Sequence, residues 1–179
     1  MQKPSLITNS LISGVLTAIV LTLYSYLLLS MNVENKGLHY ISYLIMMGGM
    51  AYGAIHYRNT SLGGFISFNE AYKSCSVFVL FTSVLTAFLT YVYMRIDGSI
   101  IAKLLAKAQE ELQNRDLPEE QMEKTLEMMN KMMQPFWMSV ISFAAYLFFG
   151  FILGLIVSAI VKKDNPDPFG HSAGSALNT

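Results

Sequence analysis

A chain of 179 residues that is 53% hydrophobic and only 13% charged, with positive mean hydropathy, falls outside the usual composition of a soluble domain. Its formal net charge of zero offers no concentrated basic surface for phosphate, so no nucleic-acid partner is expected. A single cysteine, Cys75, excludes an internal disulfide and a Cys-rich metal site, and reads as a small apolar packing residue in preference to a reactive thiol.

The apolar residues fall in blocks, and the first runs over 6–31, behind Lys3. It exceeds the hydrophobic region of a signal peptide and no small-x-small cleavage site follows, so it predicts an uncleaved membrane helix. Ser10, Gly14 and Ala18 recur every four residues, a face on which another backbone can approach closely. Tyr24 and Tyr26 lie towards the far end, where phenol rings suit an interface.

A polar connection, 32–37, leads to a second block at 38–57. Gly49 and Gly53 form a GxxxG pair and Gly48 extends the same small surface, which predicts tight helix contact. His39 and His56 are about 25 Å apart along one helix, too far to share a metal, and are expected as interfacial anchors. Met46, Met47 and Met50 could attract a soft metal, but thioethers beside glycines are read as adaptable packing.

The third block has the best-specified start. Gly63-Gly64 permits a tight turn, and Ser67 with Glu70 fits a capping box in which Glu70 also faces the positive helix end and can reach Lys73. The apolar run 68–94 would be roughly 40 Å long, so it should tilt or project from a hydrocarbon core of about 30 Å.

Asp97-Gly98 breaks that run and opens an extramembrane insert, 98–134. Ile101, Leu104, Leu105, Ala108 and Leu112 form one apolar stripe, and Met122, Leu126, Met129 and Met133 form another. Between them 114–118 reads as a turn, with Asp116 and Glu119 able to cap the second helix. The two stripes predict an amphipathic hairpin that packs on itself, lies on the membrane or meets a partner. A methionine metal site including Met128 and Met132 is the least favoured of these readings.

Pro135 then starts the fourth block, 136–161, with Trp137 as interface anchor and Gly150, Gly154 and Ser158 as a further small face. The expected organisation is all-α: a membrane domain over 1–163 with four transmembrane helices at 6–31, 38–57, 68–94 and 136–161, the hairpin between the third and fourth, and a loose polar tail at 164–179 containing His171. Orientation follows from short-flank charge. With a cytoplasmic N-terminus the inner flanks hold Lys3, Arg58, Lys73, Lys162 and Lys163, against only Lys36 in the short outer connection. The insert with its leading flank, 95–134, carries six basic side chains that count against that assignment; they are set among eight acidic ones and lie mostly beyond the helix flanks. Both termini are therefore expected inside and the insert outside.

The stretch YGAIHYRNTSLGGFISFNEAYKSC, the long apolar helix after it, the acidic insert and the closing LIVSAIVKKDNPDPF resemble the bacterial membrane-protein family catalogued as domain of unknown function 4199, found largely in Bacteroidota. Tyr57-Arg58, Gly63-Gly64 and 68–73 are the most specific part, and the resemblance covers nearly the whole chain. It implies four helices in a bacterial inner membrane and supplies no catalytic residue.

An enzyme needs a converging nucleophile, acid–base pair or metal site. The blocks hold no central Asp or Glu, no HExxH, no Gly-x-Ser-x-Gly and no P-loop. No catalytic, cofactor-binding or metal residue is assigned, no cofactor is expected, and the leading expectation is a non-enzymatic integral membrane protein. Its partners would be the lipid bilayer and a second copy or another membrane protein, met through the outer insert. The alternative is a small-solute transporter or channel subunit formed on oligomerisation, using Ser74, Ser76, Thr82, Ser83, Thr86 and Thr90, although no buried ionisable group accompanies them.

Overall fold

The computed structural model describes residues 5–31, 36–113 and 119–165. These form six helices: α1 (Leu6–Ser30), α2 (Lys36–Ser61), α3 (Phe68–Ile96), α4 (Ser99–Gln113), α5 (Glu119–Met132) and α6 (Pro135–Val161). Lys3, Asp116, the turn at 114–118, His171 and the tail beyond 165 lie outside the described residues, as do the side chains of Lys36, His39 and Glu119.

The helix starts follow local chemistry. Ser5 caps α1, its Oγ accepting from Thr8 N at 3.2 Å. Ser67 and Glu70 complete the expected capping box on α3: Ser67 Oγ accepts from Glu70 N at 3.3 Å and Glu70 Oε2 accepts from Ser67 N at 3.0 Å. Gln134 caps α6 without a side-chain bond, and Pro135 at the first helical position supplies the preset φ. At the other end of the tight turn, Gly63 and Gly64 adopt φ of 69° and 94°, and Gly64 N donates to Arg58 O at 2.9 Å to close α2.

α1, α2, α3 and α6 form a bundle in which α3 is central, packing most extensively on α6 and then on α1. The register can be followed residue by residue. Ser10 of α1 meets Ser74 of α3, and Thr82 Oγ1 donates to Gly14 O at 3.3 Å, so these two helices run parallel. Asn9 Nδ2 donates to Gly53 O at 2.7 Å and, at the opposite end, Tyr24 Oη donates to Leu38 O at 2.7 Å, so α2 runs antiparallel along α1 over about 22 Å. A Cβ on Gly154 would touch Cys75 and one on Gly150 would collide with Val79, so α6 runs antiparallel to α3. The core between them holds Leu21, Met46, Met50, Phe78, Val79 and Val157, each at most 2% exposed.

The small faces do what their spacing predicts, with two corrections. A Cβ at Gly53 would come within 2.6 Å of Ser13 Oγ, and one at Gly49 would overlap Thr17. Gly48, expected on the same surface, instead points into open space, because one residue turns the helix by about 100° and takes it off the α1 contact. Gly154 stands further from its neighbours than Gly150, at 3.4 Å to Cys75 Cβ.

Among the described residues three helices, α1, α3 and α6, are long and apolar enough to cross a membrane. The second block, expected as a fourth span, falls short on composition: four glycines, four tyrosines and two histidines dilute the hydropathy of α2, although its 26 residues give it the length. The outer surface of the bundle is apolar at every level, with Leu23, Leu44, Val84, Phe88, Phe148 and Ile160 all more than half exposed. Such a continuous belt marks a lipid-facing surface. The chain is therefore a membrane-embedded protein with at least three apolar helices.

The insert folds back as α4 against α5, as the two stripes predict. Ile100, Ala108 and Leu112 are buried, and Leu104, Leu105, Met122, Leu126 and Met129 half-buried. Asp97 anchors the first turn of α4, its Oδ1 accepting from Ser99 N at 3.1 Å and Ser99 Oγ at 2.6 Å. The Ser99 hydroxyl holds the Asp97 carboxyl below the usual carboxylate range. A depressed pKa stabilises the fold above the unfolded value and loses that contribution as the pH falls through the folded one. The protection of amides in the first turn of α4, taken relative to their intrinsic exchange rates, should therefore fall on acidification below about pH 4, with Asp97→Asn showing no such loss.

Candidate functional site

Two regions bring polar side chains together. The first is the bundle interior around α1 and α3, where Asn9, Ser13 and Thr17 face α2 and Ser10, Ser74, Thr82, Ser83, Thr86 and Thr90 are likewise buried. Within a bundle surrounded by lipid, a polar side chain must find its partner inside the protein. Ser13 and Thr17 do so locally, each donating to the carbonyl four residues earlier, as Thr22 and Ser158 also do elsewhere in the bundle. Ser10 and Thr82 bond between α1 and α3, through Ser74 and the Gly14 carbonyl. Asn9 turns to α2 instead, its amide donating to the Gly53 carbonyl where GxxxG brings the backbones together. Ser83 Oγ and Thr86 Oγ1 are buried and have no hydrogen-bond partner among the described residues. Of the six α3 hydroxyls expected to form a polar face, Ser76 alone is only half-buried, and the other five lie in the packed interior.

The second region closes one end of the bundle. The N-terminus of α3 and the C-termini of α2 and α6 meet there, and two short extended segments pair across them. Ile66 N donates to Lys163 O and Lys163 N donates to Ile66 O, both at 2.9 Å, an isolated antiparallel bridge. Ile66 is 1% exposed and joins the core, so the bridge is stapled from within. Arg58 Nη1 donates to Val161 O at 3.2 Å, covering one carbonyl that the end of α6 would leave unpaired. Lys163 Nζ lies over the Phe65 ring, 5.5 Å from its centroid. Beside the bridge opens a cavity of about 250 Å³, floored by Leu62, Phe65 and Ile66 and edged by Ser67, Glu70, Lys163 and Asp164.

Among the described residues histidine and cysteine take no part in either region. His56 is exposed and stacks on Tyr52 at 6.0 Å, while Cys75 is fully buried against α6. Met46 and Met50 are core residues on α2, and Met128 and Met132 are exposed on α5, so the thioethers do not converge on one point. Among the described residues no group of three or more His, Cys, Asp or Glu side chains is placed to hold a metal ion.

The bridge, the Arg58 contact and the Asn9 tie were not read from sequence. Asn9 is the only amide side chain in the first apolar block, which is a usable signal for a buried interhelical bond. The Ile66–Lys163 pairing joins residues far apart in the sequence and carries no local pattern.

No curated protein and no solved structure matches the chain. A family described as "Protein of unknown function (DUF4199)" matches residues 8–163, from the first turn of α1 to the bridge residue Lys163, with the α4–α5 insert included. The capping box, the glycine turn and both halves of the bridged end all lie within that match, and the chain belongs to this family.

Proposed function

We propose that the chain is a non-enzymatic integral membrane protein of a bacterial inner membrane that assembles with a second copy of itself through α4–α5. In this arrangement α1, α2, α3 and α6 all cross the bilayer, both termini are cytoplasmic and α4–α5 is periplasmic. The fourth crossing is supported by the register of α2, which accompanies α1 from Asn9 to Tyr24 and so shares its depth. The orientation rests on Arg58, Lys73, Lys162 and Lys163 flanking one end of the bundle.

The observation that carries assembly is the exposed edge of α5. Its half-buried face is occupied by α4, yet Met128 and Met132, one turn apart, stay 63% and 48% exposed beside the ion pairs Lys124–Glu120 and Lys131–Glu127. Adaptable thioethers rimmed by both signs of charge suit a self-complementary contact. A membrane-impermeant bismaleimide applied to spheroplasts should crosslink Met128→Cys into a homodimer and leave Gln109→Cys on the exposed side of α4 monomeric. Absence of a dimer from labelled Met128→Cys overturns self-assembly. Labelling only after the inner membrane is opened overturns the orientation.

The alternative, a small-solute transporter or channel subunit formed on oligomerisation, draws on Ser83 and Thr86, whose hydroxyls lie unpartnered near the middle of α3. Solute flux into proteoliposomes that falls in Ser83→Ala and Thr86→Val, with folding unchanged, would favour it over a purely structural role.

A further inference from the structure

We infer that the cavity beside the Ile66–Lys163 bridge binds the headgroup of a zwitterionic aminophospholipid, a phosphatidylethanolamine. The cavity lies where the apolar runs stop, between the start of α3 at Phe68 and the end of α6 at Val161, which is headgroup depth for helices that begin and end there. Its charges are mixed and spatially sorted. Lys163 is fixed by the backbone bridge and leans over Phe65, giving a positive point for a phosphate. Glu70 is fixed by the capping box through Oε2, which leaves Oε1 outside that box as an acceptor for an ammonium group. Asp164 adds a second carboxylate at the rim, where it also pairs with Lys162 at 2.9 Å. Asp164 is already paired with Lys162, so the charges left facing the cavity are Glu70 and Lys163, one of each sign; a phosphate joined to an amine matches both. Leu62, Phe65 and Ile66 supply an apolar floor for the glycerol end.

Both charged residues stand on rigid supports, so the site is built before the lipid arrives, which lowers the ordering cost of binding. Native mass spectrometry of the full chain, released from vesicles holding equal phosphatidylethanolamine and phosphatidylglycerol, should show the amine lipid retained roughly tenfold over the glycerol lipid, the scale of one charge-assisted contact. Glu70→Gln keeps the helix cap, because glutamine also serves in a capping box, and should bring the two lipids to parity. Lys163→Gln keeps the backbone bridge and should lower retention of both. Helix content measured in parallel verifies that each variant is folded. The inference is overturned if the wild-type chain retains phosphatidylglycerol as well as phosphatidylethanolamine, if Glu70→Gln keeps the wild-type preference, or if Lys163→Gln leaves retention unchanged. Displacement of the lipid by soluble glycerophosphoethanolamine at matched concentration would assign the same chemistry to a free headgroup compound and overturn the lipid.

Discussion

Gly150→Leu should leave little folded protein in the membrane. A Cβ at residue 150 would already come within 2.7 Å of Val79 Cγ1 and 2.5 Å of Met46 Cε, before the rest of the leucine is accommodated. The methionine end can swing away; the β-branched valine on a packed helix cannot, so α3 and α6 must separate along their most extensive interface. Overpacking of this kind costs about 1–3 kcal/mol where the backbone can shift, and more where it cannot. Gly154→Ala should be nearly neutral by comparison, since its Cβ would sit in ordinary contact with Cys75 at 3.4 Å, and Gly48→Ala should be neutral or stabilising because nothing lies within reach. Thermal denaturation of the three variants in mild detergent tests the order. Equal midpoints would show that the α3–α6 contact is looser than this register requires.

Ile66→Asp should unfasten the bridged end. The side chain at 66 is 1% exposed within the core cluster, and an unpaired carboxylate there costs several kcal/mol, enough to pull the segment into water. Once Ile66 leaves, both backbone bonds to Lys163 go with it, and residues 162–165 lose their anchor. Trypsin in mild detergent should then cut after Lys162 and Lys163 much faster than in the wild type, where the segment must first open locally. Arg58→Gln removes only the side-chain bond to the Val161 carbonyl and should give a smaller acceleration. Cleavage at the wild-type rate in Ile66→Asp would mean that the bridge does not hold the chain.

Helix type and extent were legible because lipid-facing blocks and amphipathic stripes write their period into the sequence. The apolar stripes of α4 and α5 and the Ser67–Glu70 box all depend on residues within eleven positions of each other. The standing of α2 was less legible, because it packs closely on α1 through Gly49 and Gly53, and the glycines that permit contact also lower its hydropathy below that of the three apolar helices. Gly48 shows the limit of reading a small-residue motif without its helical phase. The cavity at the bundle end was not legible at all: Glu70 belongs to α3 and Lys163 to the extended segment after α6, and nothing in either local pattern announces the other. Recognising the family placed Arg58, Gly63-Gly64 and the Lys162-Lys163 stretch in one signature, and the structure gives a physical reason, since all of them meet at one end.

The Arg58–Val161 contact spans 103 residues, and the Ile66–Lys163 bridge closes alongside it. During synthesis at about 5–20 residues per second, Arg58 and Ile66 therefore wait roughly 5–20 s for their partners to be translated. In that interval the backbone groups of Ile66 must be served by water or headgroups, and the α2–α3 turn is held only by Gly64 and the capping box. The closure therefore forms only once α6 has been made and its C-terminal end lies beside the start of α3. A chain stalled before Val161, or one with α6 inserted the wrong way round, would leave the α2–α3 turn without it.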